Sequence, residues 1–332
     1  MTIVVTGAAG FIGSNLVKAL NQRGESDILA IDNLTKGEKF SNLLDCEIAE
    51  YLHKDAFLAA LLAGAFDGEV TAILHQGACA DTLERDGRYM MENNYRYSLD
   101  LLDYCQAEEV PLIYASSAAV YGAGTVFKEE REFERPLNVY GYSKFLFDQT
   151  VRRKLEQGGG QIVGLRYFNV YGPREAHKAR MASVAWHAFE QLRSEDKVKL
   201  FEASAAFAAG EQKRDFIAVD DVVKVILYFL DHPKRSGLFN CGTGRAQTFN
   251  ELAAATINAV RRSGGEQPLS LQQMQTTGLI EYIPFLPGLK ERYQSFTEAD
   301  VSRLREAGYA ESFANVEVGV GRYVEWLLRN CT

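Results

Sequence analysis

The residues best equipped for chemistry are Tyr140 and Lys144, spaced Tyr-x-x-x-Lys, and the pair Ser116 and Ser117 upstream in YASSAAVYG. On a helix this spacing puts phenol and ammonium on one face, one turn apart. A phenol with an ordinary pKa of about 10 is a poor base at neutral pH, and a neighbouring cation favours the phenolate. Tyr140 would then exchange a proton with a substrate hydroxyl. A serine hydroxyl, Ser117 in preference to Ser116, would hydrogen-bond the same oxygen.

Short apolar runs alternate with longer amphipathic stretches through the first half, the pattern of a parallel sheet with crossover helices. Strands are expected at 3–6, 28–32, 72–75, 112–116 and 162–167, and helices at 11–23, at 89–106 and from about 140. That predicts an α/β fold with a doubly wound parallel sheet. After Asn169 the alternation fades, and the apolar runs 216–219 and 238–241 read as late strands returning to the sheet. Residues 1–173 and 214–246 are therefore expected to form one domain, and 174–213 and 247–332 a smaller, discontinuous α+β domain. Gly158, Gly159 and Gly160, and the Ser, Gly and Gln-rich stretch 261–277, read as surface loops.

The segment TGAAGFIG places Gly7, Gly10 and Gly13 on a turn that leaves the first strand and opens the first helix. Such glycines allow a tight turn, close backbone approach to a pyrophosphate, and packing of helix on strand, with the helix N-terminus attracting negative charge. Asp32 follows at the end of the second strand, completing a Rossmann dinucleotide-binding pattern. An acid there favours a ribose 2′-hydroxyl and hence NAD, whereas Lys36 and Lys39, just beyond Asn33, could hold the 2′-phosphate of NADP. A bound nicotinamide cation would add to the charge that favours the Tyr140 phenolate.

Composition narrows the partners. The 332 residues are 47% apolar and 24% charged, as in ordinary globular chains. With 36 Lys and Arg against 44 Asp and Glu the net charge is −8, which argues against nucleic acid. Cys46, Cys79, Cys105, Cys241 and Cys331 are widely spaced without a C-x-x-C pair, suiting a reducing compartment. The chain opens directly on the strand-like Ile3, Val4 and Val5, and no apolar run approaches membrane-spanning length, so a cytoplasmic protein is expected. His53, His75, His177 and His232 have no metal-like spacing, and no metal is predicted.

Glycine turn, serine-bearing strand and Tyr-x-x-x-Lys in this order resemble the extended short-chain dehydrogenase/reductase family, with RYFNVYGP at 166–173 and DFIAVDDV at 215–222 as further matches. That family includes sugar-nucleotide epimerases, dehydratases and reductases. Its dehydratases carry an Asp-Glu pair where this chain has Ala118 and Ala119, which disfavours dehydration. The longer motifs MMENNYRYSLDLLDYC, RPLNVYGYSKFLFD, NVYGPREAHKARMASVAWH, KLFEAS, KRDF and ERYQSF resemble the branch of the family that inverts C6 of ADP-activated heptose for the lipopolysaccharide inner core.

That resemblance implies an NADP-dependent epimerase, with NAD the other option, acting on an ADP-sugar through a 6-keto intermediate. Hydride must return to the opposite face of the ketone while the nicotinamide stays on one side, so one base is geometrically insufficient. Lys178 in REAHKAR matches the second acid/base position, opposite Tyr140. By the same resemblance Phe11, Ile12, Asp32, Asn33, Lys39, Lys54, Gln76, Gly77, Ala78, Cys79, Ala80, Asn93, Lys144, Val170 and Lys178 serve the cofactor. Asn169, Arg180, His187, Phe201, Glu202, Ala203, Ser204, Arg214 and Tyr293 would surround the ADP-sugar. Ala176 and Ala179 stand where that branch commonly has glycine, Arg180 where it has a small hydroxyl residue, and the stretches 205–212 and 261–278 are long. A homo-oligomer, commonly a pentamer, is implied too. The competing readings are a UDP-hexose 4-epimerase of the same family and a non-catalytic NADP-binding protein, which Tyr140, Lys144 and Ser117 argue against.

Overall fold

The parallel strands form because their apolar runs can be buried on both faces, which only crossover helices above and below a sheet provide. The computed structural model describes residues 2–204, 206–285 and 294–330. In chain order it begins β1 (Thr2–Thr6), α1 (Phe11–Gln22), β2 (Ile28–Asp32), β3 (Glu50–His53), α2 (Lys54–Leu62) and β4 (Val70–His75). A continuous helical run follows, made of α3 (Gly87–Met90), a π-helical segment Met91–Arg96 and α4 (Tyr97–Ala107). Then come β5 (Leu112–Ser117), α5 (Val139–Gln157), β6 (Ile162–Tyr167), β7 (Asn169–Tyr171), α6 (Val184–Glu195) and β8 (Val198–Phe201). The remainder is β9 (Lys213–Ala218), α7 (Val219–Asp231), β10 (Gly237–Cys241), β11 (Ala246–Thr248), α8 (Phe249–Ser263), α9 (Leu271–Thr276), β12 (Ile280–Ile283), α10 (Ser302–Glu306) and α11 (Val316–Asn330).

The chain divides into two units, and both are interleaved in sequence. The first comprises Met1–Tyr167, Val222–Cys241 and Val301–Ala310; the second comprises Phe168–Asp221, Gly242–Asp300 and Glu311–Thr332. The expected boundaries differ from these at 168–173, 214–221, 242–246 and 301–310. In the first unit a wholly parallel seven-stranded sheet runs β10-β6-β5-β4-β1-β2-β3. Strand order reverses between β1 and β4, the place where such sheets bind ligands at the carboxyl ends of their strands. One face is packed by Phe57, Leu101, Leu102, Cys105, Phe147 and Val151 among others, all essentially inaccessible.

The second unit holds two short sheets. β9 lies between β7, parallel, and β11, antiparallel, while β8 pairs in parallel with β12. Its core gathers Phe189, Leu252, Ile257, Val320, Tyr323 and Leu327 from α6, α8 and α11. Two expectations need correcting here. The 216–219 run does not return to the large sheet: 216–218 end β9, Val219 opens α7, and only β10 rejoins beside β6. The 261–277 stretch is not simply a loop, because α8 runs on to Ser263 and Ser270 caps α9 through a reciprocal capping box with Gln273.

Candidate active site

The glycine turn forms a backbone cradle. Gly7 adopts φ +66°, and a Cβ there would lie 2.7 Å from the Gly77 backbone, so the loops after β1 and β4 touch main chain to main chain. A Cβ on Gly13 would reach 2.1 Å from the Gly7 carbonyl, which closes the helix onto the turn. α1 starts at Phe11 without a side-chain cap or an acidic residue in its first turn, leaving its positive end to an anion. Ile12 is half-buried in that turn. Beside it, Gln76 accepts from the Tyr167 hydroxyl at 2.7 Å, while its buried Nε2 has no partner among the described residues. A cradle that side chains would fill and an unmet buried donor together fit a dinucleotide.

Asp32 ends β2, 5% exposed, and its carboxylate is heavily used. Oδ2 accepts from Ala9 N at 3.1 Å, and Oδ1 accepts from Asn33 N at 2.8 Å, Leu34 N at 3.1 Å and Lys39 Nζ at 2.5 Å. Lys39 also donates to Asn33 Oδ1 at 3.3 Å, whereas Lys36 lies in the exposed part of the loop. The ammonium therefore stands against the very carboxylate that would meet the ribose. Lys54 opens α2, paired with Asp55 at 2.9 Å and lying 5.4 Å from the Tyr97 ring centroid.

α5 carries Tyr140, Lys144 and Asp148 on one stripe, and Asn138 caps its N-terminus by accepting from Gly141 N at 2.8 Å. Ser117 Oγ accepts from Ala119 N at 3.1 Å and stands near enough to the Tyr140 phenol to favour its ionised form. Burial raises the phenol above its ordinary pKa, the Ser117 hydroxyl lowers it, and Cys79 raises it further. Desolvation is the largest of these influences, and the Lys144 ammonium together with a bound nicotinamide cation are the charges expected to oppose it. Lys144 itself is 4% exposed and donates to the Ala115 carbonyl at 2.8 Å. Burial lowers its ammonium to about 8, with Asp148 and then Cys79 working the other way.

The adjacent serines divide their labour because alternate strand residues face opposite sides. Ser116 donates to Asp148 Oδ2 at 3.0 Å, deep in a network the sequence reading missed. Asp148 also accepts from Tyr114 OH at 2.8 Å and Arg166 Nε at 2.9 Å. Arg166 reaches Glu134 at 2.5 Å, and Arg152 reaches the same carboxylate at 2.6 Å. Arg166, Glu134 and Asp148 are all at most 2% exposed.

After β4, Gly77, Ala78, Cys79 and Ala80 form a loop tied down by Asn94, another residue the reading passed over. Its Oδ1 accepts from Cys79 N at 2.8 Å, and its Nδ2 donates to Cys79 O at 3.0 Å and Ser143 Oγ at 3.2 Å. Asn93, expected to touch cofactor, donates to Asn94 Oδ1 at 3.1 Å. Both lie in the π-helical segment, and such turns recur at functional sites. Twin asparagines inside an amphipathic helix were the available signal. His75, at the end of β4, joins Thr6 Oγ1 at 2.6 Å and Ser98 Oγ at 2.9 Å, and burial lowers it to about 3, so it stays neutral. Among the described residues no three metal-ligating side chains cluster, and no helix is long and apolar enough to cross a membrane.

In the second unit, Asn169 and Val170 stand on β7, where Asn169 Nδ2 donates to Asp215 O at 3.0 Å and Thr297 Oγ1 at 3.1 Å. Lys178, half-buried, and Arg180, exposed, belong to the segment Ala176–Met181 before α6. Burial pulls the Lys178 ammonium below the usual lysine range, and Glu175 opposes that. His187 sits in the first turn of α6. Phe201 ends β8, stacked on Phe285 with centroids 4.4 Å apart, and Glu202, Ala203 and Ser204 follow it, the Ser204 Oγ buried without a partner among the described residues. Arg214, 9% exposed, is on β9 beside Asp215, whose carboxylate accepts from Thr243 N, Gly244 N and Ala299 N. Tyr293 lies outside the described residues.

Residues 3–242 match the model of the NAD dependent epimerase/dehydratase family. The chain is 61% identical over 327 residues to an ADP-L-glycero-D-manno-heptose-6-epimerase of Thiobacillus denitrificans, covering 98% of each. Among solved structures, the ADP-L-glycero-D-manno-heptose-6-epimerase of Helicobacter pylori shares 29% identity and a TM-score of 0.78 over 98% of this chain and 96% of that one. A UDP-glucose 4-epimerase from Thermotoga maritima, solved with UDP-glucose, shares 27% identity and a TM-score of 0.76 over the full length of both. A parallel sheet with its glycine cradle, a buried Tyr-x-x-x-Lys stripe and a family match across most of the chain converge: this chain belongs to the NAD-dependent epimerase/dehydratase family.

Proposed function

We propose that the protein inverts C6 of ADP-D-glycero-β-D-manno-heptose to give ADP-L-glycero-β-D-manno-heptose, by oxidation to a 6-keto intermediate and re-reduction, for the lipopolysaccharide inner core. The observation that carries this reading is 61% identity over 98% of the chain to a relative of that name. When bound, the nicotinamide supplies a reversible hydride acceptor at C6. Tyr140 takes the hydroxyl proton as the C6 carbonyl forms. Ser117 steadies the same oxygen by turning its hydroxyl proton from the Tyr140 side toward the substrate, while Ala119 N holds its Oγ. Lys144, held by Ala115 O, brings a positive charge one turn from the phenol and keeps two further N–H donors for the cofactor ribose. Lys178 returns or removes the proton on the other face of the carbonyl. Arg214 suits the diphosphate, because a guanidinium pairs with phosphate oxygens through parallel hydrogen bonds.

For the cofactor we propose NADP. Lys39 pairs with Asp32 at the end of β2, so a 2′-phosphate held there would meet an ammonium as well as a carboxylate. Lys39→Ala should weaken NADP binding more than NAD binding in a calorimetric titration; equal losses remove Lys39 from 2′-phosphate recognition. The function itself is tested by offering each sugar nucleotide to the purified protein and following inversion by NMR. Inversion of ADP-heptose at C6 without solvent deuterium entering carbon in heavy water is expected. Conversion of UDP-galactose with ADP-heptose inert would replace this reading by a 4-epimerase.

A further inference from the structure

Glu175 is a fully buried carboxylate with no place in the mechanism above. Among the described residues, the hydrogen bonds of its carboxylate go to the two ends of one loop. Oε1 accepts from Gly172 N at 3.2 Å and from Ser183 Oγ at 2.7 Å, and Oε2 accepts from Ser183 N at 2.6 Å. One side chain thus closes the segment 172–183. Inside that closure Lys178 N donates to Glu175 O at 2.9 Å, and Ala182 N to Ala179 O at 2.9 Å. The closed segment is strained: Arg174 has φ 72°, and Ala179 has φ 48° with ψ −123°, conformations costing about 1–3 kcal/mol each in a residue with a Cβ. Such a backbone persists only where its surroundings over-determine it.

The clamp extends into the next helix. Ser183 Oγ, while donating to Glu175, accepts from Trp186 N at 3.1 Å as the cap of α6. A negative charge at that end is also favoured by the helix dipole. Backbone closure alone needs only a neutral acceptor, since burying a carboxylate carries a large desolvation cost. The charge has a use because the ammonium of Lys178, three residues on, is disfavoured by its own burial and supported by Glu175.

We propose that Glu175 is the positioning residue for Lys178, its carboxylate closing the 172–183 loop so that the lysine is presented as the second proton-transfer group. The inference rests on the reading of Lys178 as that group. Oxidation of one C6 epimer then draws on Tyr140, and oxidation of the other on Lys178. The NADP-loaded protein is mixed separately with each epimer of the ADP-heptose, and the first-turnover absorbance of reduced nicotinamide is followed for the parent, Glu175→Ala, Glu175→Gln and Lys178→Met.

Glu175→Ala is expected to slow one epimer about 10²-fold, the scale of a misplaced catalytic group, and to leave the other within about twofold. Glu175→Gln, which keeps an acceptor for Ser183 N, should lose less, with the same epimer affected. If the alanine variant does not fold, the glutamine variant carries the test alone. Hydrogen exchange gives a second readout: the Ser183 amide should lose protection in Glu175→Ala and keep it in Glu175→Gln. Slowing both epimers equally, or neither, while Lys178→Met remains selective overturns the role of Glu175 and leaves that of Lys178 intact. A Lys178→Met variant without epimer preference removes Lys178 from the chemistry and this inference with it.

Discussion

The two proposed proton-transfer groups are held by opposite means. Tyr140 and Lys144 sit on α5, a regular helix whose 3.6-residue period supplies their register without strain. Behind them stands a redundant network in which Asp148 collects Tyr114, Ser116 and Arg166, and Glu134 collects Arg152 and Arg166. Lys178 instead rides on a loop with two non-glycine residues at positive φ, closed by the single carboxylate of Glu175. A helix positions by repetition, so its side chains tolerate the loss of one contact better than a loop tied at one point.

The largest test of that contrast is Tyr140→Phe beside Lys178→Met. Each should lower kcat about 10²–10⁴-fold, the usual worth of a positioned acid or base, while nucleotide stays bound. Near-parental turnover in either variant would remove that group from the pair. Next comes Arg166→Met, which leaves Asp148 and Glu134 buried without their shared cation and should cost about 3–5 kcal/mol in urea unfolding. A loss under about 1 kcal/mol would show that the network behind α5 is not what stabilises it.

Lys144 gives a prediction in pH. Burial lowers its ammonium from 10.5 to about 8, so between those values the unfolded chain binds the proton more tightly than the folded one. Its contribution to stability therefore rises with pH across that window, and the full cost of the buried charge is present below it. Lys144→Met should lose turnover yet gain melting temperature relative to the parent at pH 7, the gain shrinking as pH approaches 10; a constant difference would contradict the buried-charge account. The smallest effect is expected from Ala179→Gly, which removes a Cβ from φ 48° and should gain up to about 1 kcal/mol after glycine's entropic cost. No gain in thermal unfolding would mean that the loop is relaxed.

The regular region was also the legible one. Glycine turn, serine strand and Tyr-x-x-x-Lys each combine a residue type with a spacing, and β2 and β6 fall at the expected residues because their apolar runs are bounded by turns. β3 escaped notice because Glu50–His53 is an edge strand with no buried position, and an edge needs no apolar run. β9 was assigned to the wrong sheet because a buried apolar run reports burial, not the identity of its neighbours. Lys178 entered only through resemblance, and Glu175 not at all, since a glutamate in a loop reads as a solvated charge until its partners 172 and 183 are known. Asp148 and Arg166 were hidden likewise: nothing local marks a charge as buried.

The π-helical segment Met91–Arg96 has a consequence for chain length. A π turn is an α-helix with one residue too many, and each residue turns a helix by about 100°. Deleting a single residue there would restore an unbroken α-helix and be locally comfortable. Yet Asn94 could then no longer grip Cys79 while Leu101 and Cys105 kept their places in the core. Counting residues, as much as choosing them, is thus part of how this helix specifies the site, and a one-residue deletion that leaves every named side chain in the sequence should still unmake the loop at Cys79.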